Sequence, residues 1–91
     1  DTLTIGLTCN TIGSVAIARQ QLQEALKWIK RAIQVAGNKG RYVEVLAPAS
    51  INAGNAYASL GKADSALYFI ENGLPFCRQL QNLNYVATAL R

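Results

Sequence analysis

The sequence contains no histidine and no methionine, one tryptophan, two prolines and two cysteines. Without histidine the commonest general base, proton shuttle and metal ligand is missing, which excludes zinc hydrolases and serine triads. The two cysteines, Cys9 and Cys77, are too few and too far apart for a disulfide framework or a metal knuckle, and they read as small buried hydrophobes. They leave the compartment open. With no methionine and Asp1 at the first position, the expectation is a processed N-terminus or a segment excised from a longer chain.

Charge is also sparse, at 15% of residues, and two long stretches have none. Residues 2–18 carry Thr2, Thr4, Thr8, Asn10, Thr11 and Ser14, too polar for a membrane span, and no basic region precedes them as in a signal peptide. Residues 45–61 contain Pro48, Asn52, Gly54 and Asn55 and fail on the same grounds. The nine basic and five acidic residues leave a net charge of +4, and only Lys27, Lys30 and Arg31 cluster. At helical spacing those three share a face that reads as a solvated outer surface, with nucleic-acid binding through it the less favoured alternative.

A chain of 91 residues forms one small domain, residues 1–91, with a thin core and little room for a deep catalytic cavity. Its patterning is helical. Over residues 22–35, Leu22, Ala25, Leu26, Trp28, Ile29, Ala32, Ile33 and Val35 recur at steps of three and four, the signature of an amphipathic helix. Gly37, Asn38 and Gly40 then predict a helix end or sharp bend. Residues 42–60 read as an Ala-rich helix, Gly61-Lys62 as a tight turn, and residues 63–73 as a second amphipathic helix. Pro48 and Pro75 each predict a kink or a helix boundary.

The chain also repeats itself. Ala25-Leu26-Lys27-Trp28-Ile29 returns as Ala66-Leu67-Tyr68-Phe69-Ile70, and Gly13 returns as Gly54 at the same offset. The period, about 41 residues, lies in the range of stacked helical repeats. What persists is the set of positions where helices touch, small residues for close approach and large aliphatics between them. Approximate units are 1–41 and 42–83. Asn84-Tyr85-Val86 echoes Arg41-Tyr42-Val43, so residues 84–91 read as the start of a third.

The pattern resembles the tetratricopeptide repeat, W-x2-L-G-x2-Y followed by A-x3-F and P. The second unit reads Ser50-x2-Ala53-Gly54-x2-Tyr57, then Ala66-x3-Ile70; the first reads Cys9-x2-Ile12-Gly13-x2-Ala16, then Ala25-x3-Ile29; the final small position is Ala32 and Gly73. Cysteine or serine stands at the tryptophan position, and the period exceeds the family's usual one by two helical turns. The resemblance implies an all-α fold of antiparallel helical hairpins stacked as a superhelical solenoid, cut from a longer array. Such long periods look like those of bacterial signalling and regulatory proteins and of some eukaryotic scaffold and motor-adaptor proteins.

In that family the first helix of each hairpin lines a concave surface that holds peptides. The resemblance puts Asn10, Ser14, Ile17 and Ala18 there from one unit, and Ile51, Asn55, Ala58 and Ser59 from the other. None is charged, so a neutral or apolar protein segment is the expected partner. The clamp for acidic C-terminal tails would need lysines and arginines, and only Asn55 matches it. Tyr57, Trp28, Phe69 and Tyr68 read as packing residues in preference to an aromatic cage. Asp64 and Glu71 share a helix face without a partner acid, base or ligand, and Asp64 fits the positive end of its helix. The reading is a non-catalytic protein-interaction module that needs no cofactor, with a scaffolding or sensory role in a larger protein. The alternative is a structural segment that self-associates by stacking its end helices.

Overall fold

The computed structural model describes residues 1–38 and 42–89, and the side chains of these except Asn38 and residues 84–89. Four α-helices account for almost all of it: α1 (Thr2–Ala18), α2 (Leu22–Asn38), α3 (Val43–Ser59) and α4 (Ala63–Ala89), with no strand among the described residues. The protein is all-α.

The first helix lacks charge to order its ends, and Asp1 supplies the order. Its carboxylate accepts from the Thr4 N–H at 2.8 Å, satisfying one donor of the opening turn and placing a negative group at the positive end of the helix. At the far end the chain leaves α1 by a Schellman-type closure, with Gln20 N–H donating to Ile17 C=O and Gln21 N–H to Ala16 C=O, both at 2.9 Å. The same pair of bonds closes α3 one unit later, from Gly61 N–H to Ala58 C=O at 3.0 Å and from Lys62 N–H to Tyr57 C=O at 2.9 Å. Both closures need a left-handed residue. Glycine takes it in the second, at φ 76°, and Gln20 in the first, at φ 62°.

These short turns fold α1 back on α2 and α3 back on α4. Gly13 faces Ala25 and Ile29, and Gly54 faces Ala66 and Ile70, so each pair of helices is antiparallel and packed at glycine distance. Gly73 adds a third close approach, with its missing Cβ position 2.6 Å from Ser50 Cβ. The two pairs meet through α3, which packs against α1 and α2 as well as α4. Here the helices run parallel: Gly6 of α1 lies under Val45 of α3, and the Asn52 side-chain amide of α3 donates to Asn10 of α1 at 3.1 Å. The core is a continuous cluster through α1, α2 and α3, including Ile29, Ala32, Val45, Leu46 and Ala53.

Neither proline ends a helix. Pro48 lies inside α3, and α4 runs through Pro75 to Ala89 instead of stopping near Gly73. A helical proline strips the hydrogen bond from the carbonyl four residues earlier. Those carbonyls belong to Glu44 and Glu71, both exposed residues where water can take the missing donor's place. Residues 84–89, read as the start of a third unit, continue α4 in their backbone; their side chains and residues 90–91 lie outside the described residues. The bend expected at residues 37–40 also falls partly outside them: α2 ends at Asn38, and the Tyr42 N–H reaches back to Ala36 C=O at 3.2 Å. Among the described residues, no helix is long and apolar enough to cross a membrane.

Candidate binding surface on α1 and α3

Residues three and four apart share a helix face, so Asn10, Ser14, Ile17 and Ala18 form a stripe on α1, and Ile51, Asn55, Ala58 and Ser59 form one on α3. Because the two helices lie side by side and parallel, the stripes run together. Ser14, Ala18, Asn55, Ala58 and Ser59 are exposed, whereas Asn10 and Ile51 are half-buried and Ile17 packs against the core. The Asn52 to Asn10 hydrogen bond joins the stripes near their middle. An amide side chain carries donors and an acceptor, so Asn10 and Asn52 each keep capacity beyond the bond they share.

Two residues of this surface escaped the sequence reading. Asn52 lies beside the α3 stripe, and the repeat does not mark it: the repeat equivalent of Asn10 is its neighbour Ile51. Leu7 extends the α1 stripe by one turn as an exposed aliphatic. The surface carries no charge, because every residue from Thr2 to Ala18 and from Val45 to Leu60 is neutral.

A groove of about 500 Å³ opens beside the α3 stripe, lined by Ala47, Pro48 and Ile51 from α3 and by Cys77 and Leu80 from α4. Asn52 and Gln81 add amides to its otherwise apolar walls. A smaller hollow of about 270 Å³ lies between α1 and α2, among Ile5, Cys9, Ile12, Trp28 and Arg31. Cys9 is buried and Cys77 half-buried, and both are free thiols.

The aromatic residues do not converge on one point. Tyr57 stacks on Phe69 at 5.4 Å and Tyr68 meets Phe69 edge-on at 5.3 Å, whereas Trp28 lines the α1/α2 hollow. Trp28 and Phe69 are one repeat apart and occupy equivalent places on α2 and α4. The basic cluster is divided as well. The Lys30 ammonium sits over the Tyr57 ring at 5.3 Å from its centroid, while Arg31 borders the hollow against α1. Lys30 is therefore more than a solvated outer residue: it ties α2 to α3 by a cation–π contact. Asp64 and Glu71 are exposed, and Asp64 stands in the first turn of α4. Buried side-chain nitrogen and oxygen atoms all have partners among the described residues.

No family model, curated protein or solved structure matches this chain.

Proposed function

We propose that the chain is a non-catalytic, tetratricopeptide-like protein-interaction module that holds a neutral, extended peptide segment along the joined stripes of α1 and α3. The observation that carries this reading is the pair of uncharged, parallel helices presenting Ser14, Asn55 and Ser59 to solvent beside the Asn10–Asn52 bond. Such a surface can pair its amide and hydroxyl groups with a peptide backbone while Leu7 and Ile51 meet apolar side chains. Binding then works through preformed shape, which lowers the ordering cost on the protein's side. The recurrence, one unit apart, of both the turn bonds and the glycine contacts supports the helical-repeat architecture that the reading requires. The engagement of Lys30 with Tyr57 counts against a basic stripe for nucleic acid, since phosphate tracking needs its cations free and in line.

The test is selection from a random-sequence peptide library on the immobilised chain, with Ser14→Arg and Asn55→Arg as counter-targets. The expectation is a family of uncharged peptides that bind the native chain and lose about tenfold or more in affinity on either variant. Recovery of acidic peptides only, or of peptides indifferent to both variants, would overturn it.

A further inference from the structure

Each end of the molecule exposes an apolar face whose counterpart one unit away is buried. On α3, Leu46, Ala53 and Ala56 are buried against the preceding helices; one unit earlier, at the same places on α1, stand Ile5, Ile12 and Val15, all exposed. The contrast is large: Leu46 is 3% exposed and Ile5 47%. The other end shows the reverse pairing. Leu26 of α2 belongs to the core at 5% exposure, and its equivalent on α4, Leu67, is 55% exposed. The largely apolar groove between α3 and α4 continues this second face through Pro48, Ile51, Cys77 and Leu80, over a floor that includes the buried Ala47. Burying such faces is worth more than leaving isolated surface aliphatics in water, and two of them on one small domain call for partners.

We propose that copies of this chain associate head to tail, with α1 of one copy seated against α3 and α4 of the next as α3 is seated against α1 and α2 within each copy. The existing interface supplies the fit. Where Asn52 bonds Asn10, Thr11 would meet Ile51. Thr11 already donates its hydroxyl to Leu7 C=O at 2.9 Å, so its methyl can face Ile51 without leaving a polar group unpaired. Neither face is charged at its centre: α1 has no acidic or basic residue, Arg31 of α2 only borders its hollow, and the groove is lined by neutral residues. Two neutral apolar faces suit each other better than they suit an acidic or basic partner. Because the surfaces lie at opposite ends, the contact is heterologous, and assembly grows into a file or closes into a ring. This association uses the ends of the molecule and shares Ile51 with the peptide-binding reading, on which it does not otherwise rest.

Sedimentation velocity from micromolar to near-millimolar concentration tests it, with Ile5→Glu blocking the front face and Leu67→Glu the rear. Both side chains are exposed, so the variants keep their helices, as far-UV circular dichroism will verify. The expected result is a mass that climbs with concentration for the native chain, monomers for each variant alone, and a dimer that grows no further when the variants are mixed. Such a mixture pairs the one intact rear with the one intact front. If Ile5→Glu loses helix content, Val15→Glu takes its place. A native chain that stays monomeric throughout, a folded variant that assembles like the native chain, or a mixture of folded variants that stays monomeric would each overturn the proposal.

Discussion

Gly54 stands so near Ile70 that a Cβ built on it falls 2.5 Å from Ile70 Cγ1, and Gly13 stands in the same relation to Ile29, also at 2.5 Å. In both pairs a backbone carbonyl of the facing helix, Ala66 or Ala25, is also close. A backbone atom cannot swing aside as a side-chain tip can. Gly54→Ala therefore gains about 1 kcal/mol of helix propensity and loses more through overpacking, for a net destabilisation of about 1–2 kcal/mol in urea melts. Gly37→Ala, with open space around it, should stabilise by about 0.5 kcal/mol. Opposite signs at two helical glycines would come from the close approach alone.

The two helix closures differ at one residue. Gln20 adopts φ 62° where its equivalent Gly61 adopts 76°. A side chain in the left-handed region costs about 1 kcal/mol, so Gln20→Gly should raise the thermal midpoint and stabilise by about 0.5–1 kcal/mol, whereas Gly61→Ala should destabilise by about 1 kcal/mol.

Lys30 and Tyr57 join the two helical pairs. Lys30→Ala should cost about 0.5–1 kcal/mol, and a double-mutant cycle with Tyr57→Leu should return a coupling of about 0.5 kcal/mol. Additive effects of the two substitutions would show that the contact contributes nothing.

Asn10 and Asn52 form a part-buried side-chain bond between α1 and α3. Asn52→Ala leaves the Asn10 oxygen without that donor and should cost about 1 kcal/mol, while the double variant Asn10→Ala/Asn52→Ala should cost less than the sum of the two single changes, as denaturant melts will measure.

Much of this was legible in the sequence because the signals were local. The uncharged run 2–18 is α1 to the residue, and Gly61 after Leu60 marks the turn into α4. Gly13 and Gly54 stood out through the repeat offset, since a glycine inside a helix calls for a packing reason. Of the kink or boundary expected at Pro75, the boundary did not occur, because water can satisfy the carbonyl freed at the exposed Glu71. Gln20 could have been found by laying Gly61 back one unit. The Lys30–Tyr57 and Asn10–Asn52 contacts could not, since they depend on how the two helical pairs are set against each other, which no single helix encodes. The candidate surface was legible as a stripe on each helix and illegible as one surface, for the same reason.

The most direct test of the interaction-module reading is a two-dimensional 15N–1H NMR titration of the native chain with an uncharged peptide recovered by selection. Peptide binding along α1 and α3 predicts shifts concentrated at Ser14, Asn55 and Ser59 and in the side-chain amides of Asn10, Asn52 and Asn55. Shifts confined to the outer faces of α2 and α4, with the α1 and α3 stripes unmoved, would contradict it.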